Sequence, residues 1–441
     1  MNVIQLREQL LEGSLLQPSD IDLLLPYMRD GAEVVFTVKR GRSENAKCLS
    51  LTRNDKEIRA TGSYFVGVDW IEDHKLAVRV HPKMNSGDCE IDYIAMLNEA
   101  LSEPDNFEHL ADLVTIKFDR PSIPINQQQD LLSVFLIAEY VNILYCIVRK
   151  GLKKSYYKVE ENLKNKVKGR ILTGENVKRN LAKGNVLNNY CQYQVYDIDS
   201  PVNRLLKKVL RFCTRQLAVY RNAVDTAYLV NKIRQIETYF VRVGDDITIK
   251  EITTLRQNPV YKEYNQAINF AKLLLNRYSY DITKIGNKEI STPPFWIDMS
   301  KLFELYIYKR LKQIFTFKGE VVYHHKSNKQ ELDYLLNAKG WSEPYVIDAK
   351  YKPRYSREAI TLEDARQVSG YARLSSIYRR FGLDENMAPP VKCLIIYPDQ
   401  DADEVFNFTG LSEPTFDTFR EYVRIYKMGI RLPVIELKDS C

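Results

Sequence analysis

Nothing in the cysteine pattern offers a zinc knuckle or a disulfide framework. The seven cysteines, Cys48, Cys89, Cys146, Cys191, Cys213, Cys393 and Cys441, are odd in number and scattered, with no CxxC pair and no Cys/His cluster. That argues against structural zinc and for reduced thiols in a cytosol. No signal peptide is read at the start, so a cytoplasmic protein is expected. The one long apolar run, Leu131–Val148, carries Glu139 and Asn142 in mid-span, which makes it a buried helix in expectation and not a membrane span. No GxxxxGKS/T loop occurs, so the chain is not read as a nucleotide-driven motor. Internal repeats and low-complexity segments are missing as well.

What is present is ordinary globular material. With 441 residues, 45% hydrophobic and 27% charged, there is chain enough for about three domains and too much apolar content for a disordered one. The net charge of +7 is unevenly spread. Between Arg149 and Tyr220 stand 17 Lys or Arg against 5 Asp or Glu, which leaves 47 against 52 elsewhere. A basic segment in an otherwise slightly acidic chain points to contact with a polyanion. Tyr156, Tyr157, Tyr190, Tyr193 and Tyr196 are interleaved with that charge. The mixture suits nucleic acid and a protein partner about equally, and a solvated helical face is the plain alternative.

The overall order is that of a multidomain α/β protein. Residues 1–118 are expected to form a small mixed α+β docking or binding domain. Ser19-x-x-Asp22 resembles a capping box before a short helix, Ile21–Met28, cut or kinked by Pro26. Glu33–Lys39, Ser63–Ile71 and Lys75–His81 alternate as strands, with a hairpin turn at Glu72–His74. Pro121 and Pro124 mark a boundary. Residues 119–290 then read as a helical domain that opens with the helix Gln127–Lys150. It carries a less regular basic region, 151–199, with strand-like pieces at Ser155–Val159 and Tyr190–Tyr196. Ser200 caps a helix with Pro201 at its first position. In that helix Val202, Leu205, Leu206, Val209 and Cys213 face inward, leaving Arg204, Lys207, Lys208, Arg211 and Arg215 available outside. Helices Tyr228–Val241 and Tyr261–Arg277 follow. The last part, 291–441, runs helix Ser300–Phe315, strand Glu320–His324, two more strands, a helix opened by Thr361-x-x-Asp364, and strand Val391–Tyr397.

The two strands in the middle of that series carry the chemistry. Glu331–Leu336 and Tyr345–Lys350 are joined by a turn around Asn337–Gly340. Side chains alternate along a strand, so Asp348 and Lys350 share a face, as do Glu331 and Asp333. If the strands are neighbours, Asp333 meets Asp348 and Lys350 across the sheet. Two carboxylates and a lysine in that arrangement suit phosphodiester cleavage. Mg²⁺ takes one or two carboxylates plus water and phosphate oxygens, and the lysine supports an attacking water or the developing negative charge. Polar ends of an amphipathic strand are the bland alternative. Against it, the apolar run Tyr345-Val346-Ile347 suits a buried strand, after which an Asp and a Lys need partners. Of the adjacent His324 and His325, at most one can enter the site, since they point to opposite faces.

A helix with Glu304, then Asp333, then Asp348-Ala349-Lys350, then Gln367-x-x-x-Tyr371, resembles the PD-(D/E)XK nuclease core with a RecB-type QxxxY helix. Val346 to Tyr351, Lys150-Gly151-Leu152, Lys168-Gly169-Arg170-Ile171, Asp199 and Asn203-Arg204-Leu205-Leu206-Lys207 narrow the resemblance to McrC, the cleaving subunit of McrBC modification-dependent restriction systems. The likeness covers roughly residues 125–441. A weaker one runs through Phe65-Val66-Gly67-Val68 and His81-Pro82-Lys83. The first nuclease motif reads Glu331-Leu332-Asp333 and not Pro-Asp, which leaves Glu331 open as a further metal contact. The resemblance implies a C-terminal PD-(D/E)XK domain in which Asp333 and Asp348 bind Mg²⁺ (or Mn²⁺). Glu304 is a third candidate ligand, Lys350 is catalytic, and Gln367 and Tyr371 contact the scissile strand or brace the lysine. It also implies a hexameric AAA+ GTPase partner of McrB type and double-stranded DNA carrying methylated or hydroxymethylated cytosine. The basic region 151–199 is the candidate for a finger entering the motor's pore. Lys168, Arg170, Tyr156, Tyr157, Arg204, Lys207 and Lys208 are the candidate contacts with partner or DNA. A non-catalytic activator of an AAA+ motor and a stand-alone RecB-like nuclease are the competing readings.

Overall fold

The structure is a computed structural model of the whole chain. It describes all residues except 1, 11–12, 41–43, 86–88, 104, 107–112, 118–119, 122, 126–131, 220–226, 249–260, 284–289, 328–329, 357–359, 403–411, 420 and 437–441. The boundary expected at 118–119 and the start of the expected helix Gln127–Lys150 lie outside the described residues. The architecture is mixed α/β with several separate sheets, and the chain divides into two compact units, residues 1–131 with 289–441, and residues 132–288. Among the described residues no helix is long and apolar enough to cross a membrane.

In the first unit the amino- and carboxy-terminal parts, separate domains in the sequence reading, share one sheet. Its strand order is Asn2–Arg7, Leu76–His81, Phe65–Glu72, Phe295–Asp298, Val114–Ile116. The short Phe295–Asp298 strand is buried throughout, so it has no polar face and no alternation to betray it in the sequence. Gly67 makes its insertion feasible. A Cβ there would lie 2.1 Å from the carbonyl oxygen of Phe295 and 3.0 Å from Trp296 Cα, both backbone atoms that cannot swing aside. Gly67→Ala is therefore expected to destabilise the unit by about 2–3 kcal/mol, the upper part of the overpacking range, read as a fall in thermal midpoint.

A second sheet, ordered Ser14–Leu15, Glu57–Gly62, Glu44–Asn54, Glu33–Arg40, closes over an apolar core containing Leu24, Phe36, Leu49, Leu51, Phe65, Val78 and Trp296. The helix beneath it runs Pro18–Leu24 and does not use the expected capping box. Gln17 is its N-cap, without a side-chain bond, and Pro18 supplies the first turn. The turn at Glu72–His74 is present, with His74 in the left-handed region at φ 65°.

The third sheet positions the site. Its order is Val321–Ser327, Gln330–Leu336, Tyr345–Ala349, Lys392–Pro398, Ile425–Ile430, Asp417–Thr418. The first three strands pair antiparallel, and the Tyr345–Ala349, Lys392–Pro398 and Ile425–Ile430 strands pair parallel. Helix Leu362–Tyr371 packs its Ala365, Val368 and Tyr371 into a core shared with Leu335, Val346, Cys393 and Ile395. Thr361 caps this helix as expected, accepting from Asp364 N. Helix Met299–Ile314 follows the Phe295–Asp298 strand and is capped by Asp298, whose carboxylate accepts from Ser300 N and Lys301 N.

The second unit pairs Ser155–Lys164 antiparallel with Asn188–Asp197, and adds Arg170–Ile171 on the far edge of the latter. Among the described residues its longer helices are Leu132–Lys150, Pro201–Val219, Ala227–Tyr239 and Lys262–Thr283, with a short one at Thr173–Arg179. The glycine of Lys168-Gly169-Arg170-Ile171 has a physical reason. Its φ is +69°, and a Cβ would lie 2.4 Å from the Gln192 carbonyl oxygen.

Candidate active site

The Gln330–Leu336 and Tyr345–Ala349 strands pair with Tyr334 opposite Ile347 and Leu335 opposite Val346. One step further on, Asp333 and Asp348 emerge side by side. Asp333 Oδ2 accepts from the Ala349 N–H at 2.8 Å, which fixes the acid against the Asp-Ala-Lys segment. Asp348 is 1% exposed. Its Oδ2 lies 2.9 Å from Lys350 Nζ, whereas Oδ1 is buried with no hydrogen-bond partner.

Lys350 Nζ donates to Gln367 Oε1 at 2.8 Å and lies 3.9 Å from Asp364. Gln367 Nε2 donates to the Tyr371 hydroxyl at 2.7 Å, and that hydroxyl donates to the Glu331 carbonyl at 3.1 Å. Gln367 and Tyr371, one helical turn apart, thus tie the lysine back to the strand that bears Asp333. Glu304 faces the same region from helix Met299–Ile314. Tyr334 OH donates to its carbonyl at 2.5 Å, and its charge is felt by both Asp333 and Asp348. One histidine, of the at most one expected, joins them, from a position where the strand pairing is interrupted. His324, at φ 52°, bridges Glu304 (3.6 Å) and Glu331 (3.0 Å), while His325 lies near Arg380.

Burial, and then the charges of Asp348 and Glu304, push the Asp333 carboxyl well above the usual range. Burial raises Asp348 too, against the opposing pull of Lys350. For Lys350, burial works downward, but the carboxylates of Asp348, Asp333 and Asp364 more than offset it and hold the ammonium above its ordinary value. That direction favours the charged ammonium beside Asp348. Among the described residues no group of three or more His, Cys, Asp or Glu side chains is placed to hold a metal ion. Mg²⁺ asks for less, one or two carboxylates with water completing the shell. Crowded hard-oxygen donors and an orphaned Asp348 oxygen fit such a cation.

A model of the family described as McrBC 5-methylcytosine restriction system component matches residues 63–383. The chain belongs to that family. No curated protein matches this McrBC-family chain. Two solved structures are similar to it, both from Thermococcus gammatolerans. One is a half-complex from a tetradecameric assembly of McrB AAA+ hexamers with bound McrC, at 14% identity over 98% of this chain and 94% of that one, with a TM-score of 0.34. The other is the McrBC complex, at 14% identity over 70% of this chain and 87% of that one, with a TM-score of 0.27.

In the second unit of this McrBC-family protein the expected contact residues divide. Tyr156 is 71% exposed and packs its ring 4.6 Å from that of Tyr196. Lys168 stands 4.0 Å over the Tyr193 ring, and Arg170 donates to Gln192 at 3.2 Å. Tyr157 lies beside Arg204. Arg204, Lys207 and Lys208, expected to be available outside, are half-buried and engaged within the unit. Arg204 forks onto both oxygens of Asp199 at 2.7 and 2.8 Å. Lys207 donates to the carbonyls of Phe240 and Val243, and Lys208 to that of Ile247. These carbonyls lie in the segment after the Ala227–Tyr239 helix, where the cationic side chains add to the Val243 N–H that the Phe240 carbonyl already accepts.

One residue of the first unit escaped the sequence reading except as a cap neighbour. Asp364, 3% exposed, accepts from Lys352 Nζ at 2.6 Å and from Tyr355 OH, close to Lys350. Burial works to raise its carboxyl, but those hydrogen bonds and the two lysines hold it below the usual range. The spacing of Lys350 and Lys352, followed by an acid in the first turn of the next helix, was the available signal.

Proposed function

We propose that this chain is the Mg²⁺-dependent DNA endonuclease subunit of a McrBC-type restriction system, built on a PD-(D/E)XK core. The observation that carries the reading is the convergence of Asp333, Asp348, Lys350 and Gln367 on one spot around a buried carboxylate oxygen that lacks a partner. Asp333 and Asp348 would hold the cation, with Glu304 placed for a second one. Bound there, Mg²⁺ supplies Lewis acidity toward a phosphodiester oxygen and lowers the pKa of water. Lys350, kept protonated by its carboxylate neighbours, aims its charge at the phosphoryl oxygens as negative charge develops. Gln367 and Tyr371 fix the direction of that charge. Glu331, through His324, steadies the rim.

Family membership supports a partner AAA+ GTPase and double-stranded DNA carrying modified cytosine, the base being read by the partner. The 155–197 sheet, with exposed Tyr156 and Tyr196 and its flanking Lys168 and Arg170, is the surface we assign to that motor. Among the described residues Cys146, Cys191, Cys213 and Cys393 form no disulfide, in keeping with a cytoplasmic site of action. The test is cleavage of methylated duplex DNA by the full chain with its motor partner and GTP. Cutting is expected with Mg²⁺, none in excess EDTA, and recovery on adding Mg²⁺ or Mn²⁺. Cutting that persists in EDTA removes the metal reading. Stimulation of GTP hydrolysis without any cutting leaves the adaptor reading in its place.

A further inference from the structure

The His81-Pro82-Lys83 stretch lies far from the site in sequence, yet its lysine ends on the residue that follows Lys350. Lys83 Nζ donates to the Tyr351 carbonyl at 2.7 Å and stands 3.9 Å from the centroid of the Tyr351 ring. The Tyr351 hydroxyl donates to Glu8 Oε1 at 2.8 Å, and the same oxygen accepts from the Lys83 backbone N–H at 3.1 Å. Parallel pairing of Asn2–Arg7 with Leu76–His81 sets Arg7 beside His81 and brings Glu8 and Lys83 to the same end of the sheet. Phe303, next to Glu304, closes on the Tyr351 ring at 5.8 Å between centroids.

Such an arrangement is more than packing requires. Glu8 is 2% exposed and Tyr351 3% exposed. A buried carboxylate is costly, and a phenylalanine would fill the same hole without one. What the polar contacts fix is the path of the chain. The strand bearing Asp348 ends at Ala349, and beyond it Lys350 is held by its N–H to the Ile396 carbonyl at 2.8 Å. On the far side of Lys350, Tyr351 is anchored through ring, hydroxyl and carbonyl by two residues of the amino-terminal part.

We propose that Glu8 and Lys83 are positioning residues for Lys350. They clamp Tyr351 and so fix the backbone rotation that presents Nζ to Asp348 and Gln367. This gives the amino-terminal part a role in cleavage, and it rests on the nuclease reading above. Lys83→Met keeps the aliphatic stem and loses the donor. In the full chain with its motor partner and methylated DNA, kcat is expected to fall about 10- to 100-fold while KM for DNA stays within about twofold, the pattern of a misplaced catalytic group. Lys83→Arg should restore most of the rate. Tyr351→Phe, which loses only the bond to Glu8, should show a smaller loss of kcat with the same unchanged KM. If Lys83→Met does not fold, Tyr351→Phe decides alone. Wild-type kcat in whichever variant folds overturns the clamp, as does a loss shared equally by KM or one that Lys83→Arg leaves unrescued. A wild-type chain that does not cut overturns the nuclease reading and the clamp with it. A cutting wild type beside an unaffected variant overturns the clamp alone.

Discussion

Under the proposed function, Asp348→Ala is expected to abolish DNA cutting while leaving the fold and the stimulation of the proposed partner's GTPase intact. The loss is expected to be about 10³-fold or more, at or beyond the upper end for removing one preorganised charge-stabilising group. The preservation of the fold follows from the same burial that makes the residue useful. Asp348 is an enclosed carboxylate whose burial raises its pKa, with one oxygen unpartnered. Removing it relieves the repulsion felt by Asp333. Lys350 keeps its hydrogen bond to Gln367 and its proximity to Asp364. The lost 2.9 Å ion pair to Lys350 and the relieved repulsion at Asp333 act in opposite directions, so thermal unfolding should show a midpoint close to that of the wild type. The surface we assign to the motor belongs to the other compact unit, so GTPase stimulation reads it independently. Joint loss of cutting and stimulation, with a lowered midpoint, would point to misfolding and withdraw the assignment of Asp348 as a metal ligand.

The residues of the site were legible because their strands obey simple periodicity. Glu331–Asp333 alternates before the buried Tyr334–Leu336, Tyr345–Ile347 is a continuous apolar run, and the acids and lysine sit at positions that the register brings together. Gln367 and Tyr371 were readable from helical spacing and a cap at Thr361. Where tertiary context decides, the sequence was silent. The Phe295–Asp298 strand is buried on both faces and four residues long, too short to separate from a lead-in to its helix. The Glu44–Asn54 and Glu57–Gly62 hairpin and the Ile425–Ile430 strand were not anticipated, although Glu57–Gly62 does alternate exposed and buried positions; Ile425–Ile430 buries only its two ends. Lys207 and Lys208 look solvated on a helical wheel, and only the neighbouring carbonyls show otherwise. Nothing local could announce that Glu8 and Lys83 would meet Tyr351.

The largest expected effect on stability lies at Asp69, which ties the amino-terminal sheet to the strand arriving from residue 295. Its fully buried carboxylate accepts from Lys117 Nζ at 2.6 Å, Arg120 at 3.1 Å, the Trp296 indole N–H at 2.9 Å and the Trp70 N–H at 2.8 Å. Asp69→Ala strands an indole donor in the core and leaves two cations facing a vacated site. Breaking a buried pair from one side costs roughly 3–5 kcal/mol, which for a unit of this size is a fall of about 10 °C in thermal midpoint. Trp296→Phe removes only the indole donor and leaves Asp69 with both cations, so it should cost about 1–3 kcal/mol, a lost hydrogen bond plus some volume. The order of the two effects is what matters. The Phe295–Asp298 strand runs straight into the helix carrying Glu304, with Asp298 as its cap. If the carboxylate is what docks that strand, Asp69→Ala must lower the midpoint more than Trp296→Phe, and combining the two must cost less than their sum because they share one contact. Full additivity would mean that Lys117 and Arg120, not the indole, are what Asp69 holds, and the strand would then owe its place to its backbone pairing on both sides and to apolar packing.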